Sequence, residues 1–217
     1  DVHHIIFDGW SVNVFMNELW SVYYGHELPP KKLQFKDYAV WQRKDRESEL
    51  IKAQEKYWLD KFKDDVPVLN LETDFPRGKT LSFKGRRPRL QICSGLTNQL
   101  TQIAHRTEAT LFMVMLAAYK ILLSKYSSQE DFIIGVPASG RTTPEMEDIL
   151  GMFVNSLPVR SKPEWKKSFR EYLDEIKQTI IESYDNQDYQ LDELIEKLDI
   201  KREASRNPLF DVMFVFS

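Results

Sequence analysis

The sequence is almost without cysteine. Cys93 is the single cysteine among 217 residues, so no internal disulfide can form and no second thiolate is available for a metal site. We interpret Cys93 as a small apolar residue in a strand. No apolar run approaches the roughly 20 residues that span a bilayer, and the amino terminus lacks the charged and then apolar pattern of a secretion signal. We therefore expect a cytoplasmic protein without a membrane partner.

A strong imbalance of charge is also missing. The chain has 30 basic and 33 acidic residues, for a net charge of −3, and no long block of one sign, which argues against a nucleic acid partner. Glycine-rich phosphate loops, internal repeats and low-complexity tracts are absent too. What the chain does have is 42% hydrophobic and 12% aromatic residues, enough for the core of one or two compact units.

The most informative stretch is HHIIFDGWS at residues 3–11. A neutral imidazole can accept one proton and donate another near neutral pH, which suits His3 or His4 to proton transfer. Asp8 precedes Gly9, a residue that tolerates positive φ, and we expect this pair to fix the turn that orients the histidines.

A metal site is the other interpretation of two histidines and an aspartate. Adjacent histidines on an extended segment point to opposite faces, and neither His26 nor His105 lies in a segment of ligand-like spacing. We therefore predict no metal in this chain.

The periodicity of apolar residues predicts alternating helices and strands, and thus an α/β protein. Ser11 is the expected N-cap of the first helix and Gly25 its expected end. Helices are predicted over 11–24, 37–62 (with room for an interruption), 94–104, 110–126, 169–184 and 191–198, and strands over 88–93, 131–136, 152–159 and 209–216. A linker over 25–35 and loops over 70–89 and 140–148 are rich in proline, glycine or charge.

The stretch at 3–11 resembles the HHxxxDG signature of the condensation domains of nonribosomal peptide synthetases, relatives of the chloramphenicol acetyltransferase-like acyltransferases. Further segments resemble the same family and follow in the same order: YAVW at 38–41, GVPASGR at 135–141, GMFVNS at 151–156 and SRNPLFD at 205–211.

This resemblance implies the chloramphenicol acetyltransferase-like α/β fold of two lobes. Residues 1–35 would be the end of the first lobe and a linker, and 36–217 a second lobe that is incomplete at its C-terminus. The chain begins at Asp1 without an initiator methionine, so we expect it to be a piece of something larger.

The resemblance also implies roles for particular residues. His4 would be the catalytic histidine and His3 would support the turn. An ordinary carboxyl pKa near 3.9 makes Asp8 a poor base, so its role would be structural, in a pair with Arg141 through two parallel hydrogen bonds. Gly9 would let the backbone approach the substrate, and its N–H would help to hold an oxyanion.

Asn155 has two interpretations, a tie between strands or a residue of the substrate channel. The implied activity is the attack of a downstream aminoacyl amine on an upstream aminoacyl or peptidyl thioester, with His4 as base or as orienter. Both substrates would hang on the 4′-phosphopantetheine arms of carrier domains beside an adenylation domain, so no cofactor would bind this chain directly. An epimerisation domain and a noncatalytic carrier-binding platform are the alternatives.

Overall fold

The computed structural model describes residues 1–82, 84–201 and 203–216. The helices and strands in these residues, beside two short 3-10 turns at His4–Ile6 and Pro144–Met146, are α1 (Gly9–Tyr23), α2 (Phe35–Asp45), α3 (Glu49–Lys61), α4 (Ser94–Arg106), α5 (Leu111–Ser127), β1 (Phe132–Ala138), β2 (Asn155–Ser161), α6 (Phe169–Asp185) and α7 (Leu191–Lys197).

Strands β1 and β2 form an antiparallel ribbon, in a register that runs from Phe132 opposite Ser161 to Ala138 opposite Asn155. Most residues of both strands are buried, which explains why β1 has a continuous apolar run instead of an alternating pattern. The chain that connects the two strands contains Arg141 and Phe153, which both contact Asp8.

Apolar helix α5 packs against α4 and α6, and α6 also packs against β2. Leu116 and Ala117 of α5, with Phe132 of β1 and Leu173 of α6, are fully buried in this main core. A second cluster joins α3, α7 and the other face of the ribbon. The elements predicted from apolar runs are thus those that build the core.

A lysine lies inside the main core. Lys120 of α5 has no exposed surface, and its Nζ donates to the carbonyls of Val159 at 2.9 Å and Phe132 at 3.4 Å. Burial lowers the pKa of Lys120 to about 7, against the opposing charge of Asp131. A neutral amine has two N–H donors, which match the two carbonyl acceptors.

Several predicted boundaries are wrong. Residues 88–93 form no strand within the described chain, because Leu90 is 91% exposed and its apolar side chain has no sheet face to join. By contrast, the interruption allowed for in the predicted helix 37–62 is confirmed. It lies at 46–48, where the hydroxyl of Ser48 caps α3 through the Ile51 N–H. The predicted loop 140–148 contains a 3-10 turn.

Of the two later predicted strands, 152–159 is shifted towards the C-terminus and 209–216 is almost absent. β2 begins at Asn155 and not at Met152, because the backbone of 151–153 bonds to Asp8 instead of to a strand. The predicted strand 209–216 is reduced to a parallel bridge between Met213 and Gly135.

No single helix in residues 1–82, 84–201 and 203–216 is long and apolar enough to cross a membrane; α4 and α5 meet that criterion only as a pair bent by 105°.

Candidate functional site

The two histidines lie at a short turn before α1. The Nδ1 atom of His3 accepts the Ile5 N–H at 3.1 Å and so caps the 3-10 turn that contains His4. Both histidines are exposed. The side chain of His3 thus stabilises the turn, and His4 stands on the turn with its imidazole open to solvent.

Helix α1 is capped by Asp8 and not by Ser11. The Oδ1 atom of Asp8 accepts the Ser11 N–H at 2.8 Å, so the helix begins three residues earlier than the predicted Ser11 cap would allow. Gly9 is the first helical residue and does not have positive φ; within the described chain the glycines with positive φ are Gly25 and Gly140. A Cβ at Gly9 would meet nothing within 4 Å, so no contact of the fold requires a glycine there.

The carboxylate of Asp8 is paired with Arg141. The Nη2 atom of Arg141 donates to Oδ1 at 3.1 Å and to Oδ2 at 3.2 Å, and the two side chains are 2% and 0% exposed. A single nitrogen therefore serves both oxygens, whereas the expectation that came from the family resemblance was a pair joined through two parallel hydrogen bonds. The second terminal nitrogen of Arg141, Nη1, donates to the carbonyls of Met146 and Ile149.

Burial by itself would raise the pKa of Asp8. The N–H groups of Ser11 and Phe153 and the charge of Arg141 outweigh that effect and hold the pKa of Asp8 below its usual value. The carboxylate is therefore ionised at neutral pH, which is the form that these donors and the guanidinium require.

Gly140 and Phe153 pack around the Asp8–Arg141 ion pair. The guanidinium carbon of Arg141 lies 4.0 Å from the centroid of the Phe153 ring, and the N–H of Phe153 donates to Oδ2 of Asp8 at 3.1 Å. Gly140 has a φ of +66°, and a Cβ there would lie 2.0 Å from the Phe153 carbonyl oxygen. This position explains the glycine before Arg141.

Helix α2 also packs on Phe153. The rings of Phe35 and Tyr38 pack on Phe153, with centroids 5.1 and 4.5 Å away. A Cβ at Gly151 would lie 2.1 Å from an atom of the Phe35 ring. The segments at 38–41, 135–141 and 151–156, which are far apart in sequence, thus meet around Asp8.

Ser11 is a residue of this site that the sequence reasoning missed. It is fully buried, and its hydroxyl contacts the Gly151 backbone and Arg141. The only signal in the sequence was its place in HHIIFDGWS, where a serine near a helix start is normally interpreted as a cap.

Asn155 is buried, with all four hydrogen-bonding positions of its amide in use. Nδ2 donates to the carbonyls of Gln187 and Tyr189, each at 2.8 Å, while Oδ1 accepts the N–H groups of Ser156 and Leu191. The amide ties the start of β2 to the connection between α6 and α7, so no free polar atom is left for a channel ligand.

A metal site is not built around the histidines. In the described part of the chain, no group of three or more His, Cys, Asp and Glu side chains could hold a metal ion. The arrangement instead offers an exposed imidazole, an adjoining helix start and a buried ion pair whose aspartate caps that helix. Such an arrangement can accept and donate a proton on a bound substrate without a metal.

Known proteins are similar to this chain in sequence and in fold. The condensation domain family matches residues 1–217. The chain is 49% identical over 214 residues to gramicidin S synthase 2 from Brevibacillus brevis, which covers 99% of the chain but only 5% of that protein.

Two solved structures are similar in fold. The X-domain in complex with OxyB from teicoplanin biosynthesis has a TM-score of 0.88 and 26% identity, over 98% of this chain and 49% of that one. A four-domain nonribosomal peptide synthetase bound to AMP and glycine has a TM-score of 0.89 and 23% identity, over 100% of this chain and 16% of that one. The chain belongs to the condensation domain family, and its α/β fold is the chloramphenicol acetyltransferase-like fold of condensation domains.

Proposed function

We propose that these residues act in nonribosomal peptide synthesis, where they join an upstream carrier-bound aminoacyl or peptidyl thioester to the amine of a downstream carrier-bound aminoacyl thioester. The observation that carries this proposal is the buried Asp8–Arg141 pair, whose aspartate follows the turn that contains the exposed His4 by two residues. An exposed imidazole on a fixed turn suits proton handling at a reacting group.

In the proposed reaction the downstream amine nitrogen attacks the thioester carbonyl carbon, the C–S bond breaks, and the departing sulfur takes up a proton. A thioester is already activated, so much of the rate comes from holding the two substrates together. His4 would accept the proton of the attacking amine or orient it by a hydrogen bond. The catalytic set is His4, with His3 and Asp8 in support, and Gly9.

Gly9 has a separate part in this proposal. It is the first residue of α1, where backbone N–H groups have no intrahelical acceptor. Open space lies where its Cβ would be. The Gly9 N–H would stabilise the negative charge that develops on the thioester oxygen.

The Asp8–Arg141 pair would also join the two lobes. In the proposed division, residues 1–35 end the first lobe and 36–217 form most of the second, so Asp8 and Arg141 would come from different lobes. Upstream and downstream carrier domains would deliver the substrates on 4′-phosphopantetheine arms, with an adenylation domain nearby. The chain spans about a twentieth of the length of gramicidin S synthase 2, in keeping with one domain of a large enzyme.

A carrier-binding or protein-binding platform is the second candidate. The likeness to an X-domain solved in complex with OxyB favours it, because a fold of this kind there binds another protein. The exposed His4 on a capped turn has no evident use in a platform.

The test uses the whole synthetase that carries these residues, with one carrier loaded with a donor and the next with an acceptor amino acid. Mass spectrometry of the carrier-bound products after a single turnover should show the donor transferred to the acceptor amine. Exchange of the donor α-proton with deuterated water, without transfer, would instead indicate epimerisation. Carrier binding without either reaction would favour the platform.

A further inference from the structure

The hydroxyl of Ser11 makes three hydrogen bonds inside the protein. It donates to the Gly151 carbonyl at 2.9 Å, accepts the Gly151 N–H at 3.0 Å and accepts Nη2 of Arg141 at 3.1 Å. A hydroxyl has one donor and two acceptor positions, so every one of them is used. Ser11 is 0% exposed, and these bonds are shielded from water.

The backbone at Gly151 is held from two sides. Ser11 binds both its N–H and its carbonyl, and the Asp8 N–H donates to the same carbonyl at 3.2 Å. On the opposite side, the Phe35 ring fills the place of a side chain on Gly151. The start of α1 and residues 151–153 therefore keep one relative position, and Ser11 supplies two of the neutral hydrogen bonds of that contact.

We propose that Ser11 is a positioning residue for the condensation reaction, one that holds the start of α1, and with it the turn that carries His4, in the reactive position. The proposal rests on the proposed function. Loss of the hydroxyl leaves the buried Gly151 N–H without its acceptor. The start of α1 is then held by Asp8 and by the Trp10 indole, which donates to the Glu147 carbonyl at 2.9 Å. Ser11 touches no substrate in this scheme, and it acts through the backbone of the His4 turn.

A displaced His4 turn should slow the chemical step more than it weakens binding. A misplacement of about 1 Å can cost about 100-fold in rate, so Ser11→Ala in the whole synthetase should lower kcat for amide formation by about 10- to 100-fold. KM for the loaded downstream carrier should stay within about twofold of the wild-type value, because removal of an interaction that is made only in the transition state leaves KM unchanged.

Ser21→Ala is the matched control. Ser21 lies on the same helix, and its hydroxyl donates only to the Asn17 carbonyl one turn earlier. This variant should keep the wild-type kcat. Ser11→Thr retains a hydroxyl and should recover more activity than Ser11→Ala. A drop in the amount of folded enzyme with unchanged kcat per folded molecule would overturn the proposal, as would equal kcat values for Ser11→Ala and Ser21→Ala.

A second measurement keeps the proposal testable if Ser11→Ala does not fold. Hydrogen exchange in the unaltered synthetase should show the Gly151 amide strongly protected. Exchange at the rate of a solvent-exposed amide would refute the hydrogen bond from Gly151 to Ser11 and the proposal with it. His4→Ala, run in parallel, separates the two proposals. If His4→Ala removes amide formation while Ser11→Ala keeps the full kcat, the Ser11 proposal alone fails. If His4→Ala retains full activity, the assignment of His4 fails and the Ser11 proposal with it. If the unaltered synthetase forms no amide, the proposed function itself fails.

Discussion

Replacing Asp8 by asparagine should break the buried ion pair with almost no change of shape. Each carboxylate oxygen accepts two donors: Oδ1 from the Ser11 N–H and Arg141, and Oδ2 from the Phe153 N–H and Arg141. In Asp8→Asn one oxygen becomes an NH₂ group that faces a backbone N–H. One donor then loses its acceptor, and the guanidinium, 2% exposed, loses its counter-charge.

The expected cost follows from that burial. Breaking a buried pair by removal of one charge costs roughly 3–5 kcal/mol, a figure that includes about 1–3 kcal/mol for the unpaired donor. In urea unfolding with an m-value of about 2 kcal/mol/M, the midpoint should fall by about 2 M. The assay is equilibrium unfolding of the 217-residue protein monitored by tryptophan fluorescence and by far-UV circular dichroism.

Asp131→Asn is the matched control for this substitution. Asp131 also pairs with an arginine, since Arg160 donates to its two oxygens at 2.9 and 2.7 Å, but the Asp131 side chain is 29% exposed. Its loss should cost about 1 kcal/mol because water replaces part of the interaction. If Asp8→Asn costs no more than Asp131→Asn, the argument from burial is refuted.

Further predictions concern pH and the glycines. The pKa of Asp8 is lower in the folded than in the unfolded protein. The ionised carboxylate therefore contributes its full stabilisation above the unfolded pKa of about 3.9, and this stabilisation is lost as the pH falls through the lower folded pKa. Below pH 4, the urea midpoint should decrease more steeply with falling pH for the wild type than for Asp8→Asn. For Lys120 the folded pKa of about 7 lies below the unfolded value of about 10.4, so the unfolded state binds more protons in between and stability rises with pH. Unfolding free energies at pH 7 and pH 9 should show a rise of up to about 1.4 kcal/mol per pH unit from this group, and Lys120→Met should lack it; equal rises in both proteins would contradict the burial of the amine. Gly151→Ala should cost at least about 1–3 kcal/mol, because the added methyl overlaps the Phe35 ring, whereas Gly9→Ala should leave the thermal midpoint unchanged or raise stability by up to about 1 kcal/mol; a loss of stability in Gly9→Ala would show that the fold itself needs that glycine.

The sequence was most informative where local pattern and burial coincide. The apolar runs of α5 and β1 predicted a buried helix and a buried strand, and both are there. Hydrophobic periodicity failed at 88–93, because two alternating apolar residues carry too little information without a partner strand. The boundary of β2 was missed because the acceptor for the Phe153 N–H is the side chain of Asp8, a residue 145 positions away.

Long-range polar contacts could not be predicted from local pattern at all. Asp8 and Arg141 are separated by 133 positions, and only the family resemblance suggested that they meet. Lys120 in an apolar helix has no local signal of burial, because its acceptors belong to two strands that follow it in the chain. Ser11 was misassigned as a cap because Asp8, three residues earlier, has the same capacity to accept the helix N–H.

The most direct test of the proposed mechanism is the single-turnover rate constant for amide formation by the whole synthetase with His4→Ala. His4 is exposed, so the variant should unfold at the wild-type urea concentration and its carriers should load normally. The mechanism predicts a fall of about 100- to 10,000-fold, the range that general acid–base catalysis contributes. A rate constant within a few-fold of the wild type, in a fully folded and fully loaded enzyme, would contradict the assignment of His4 as the catalytic residue.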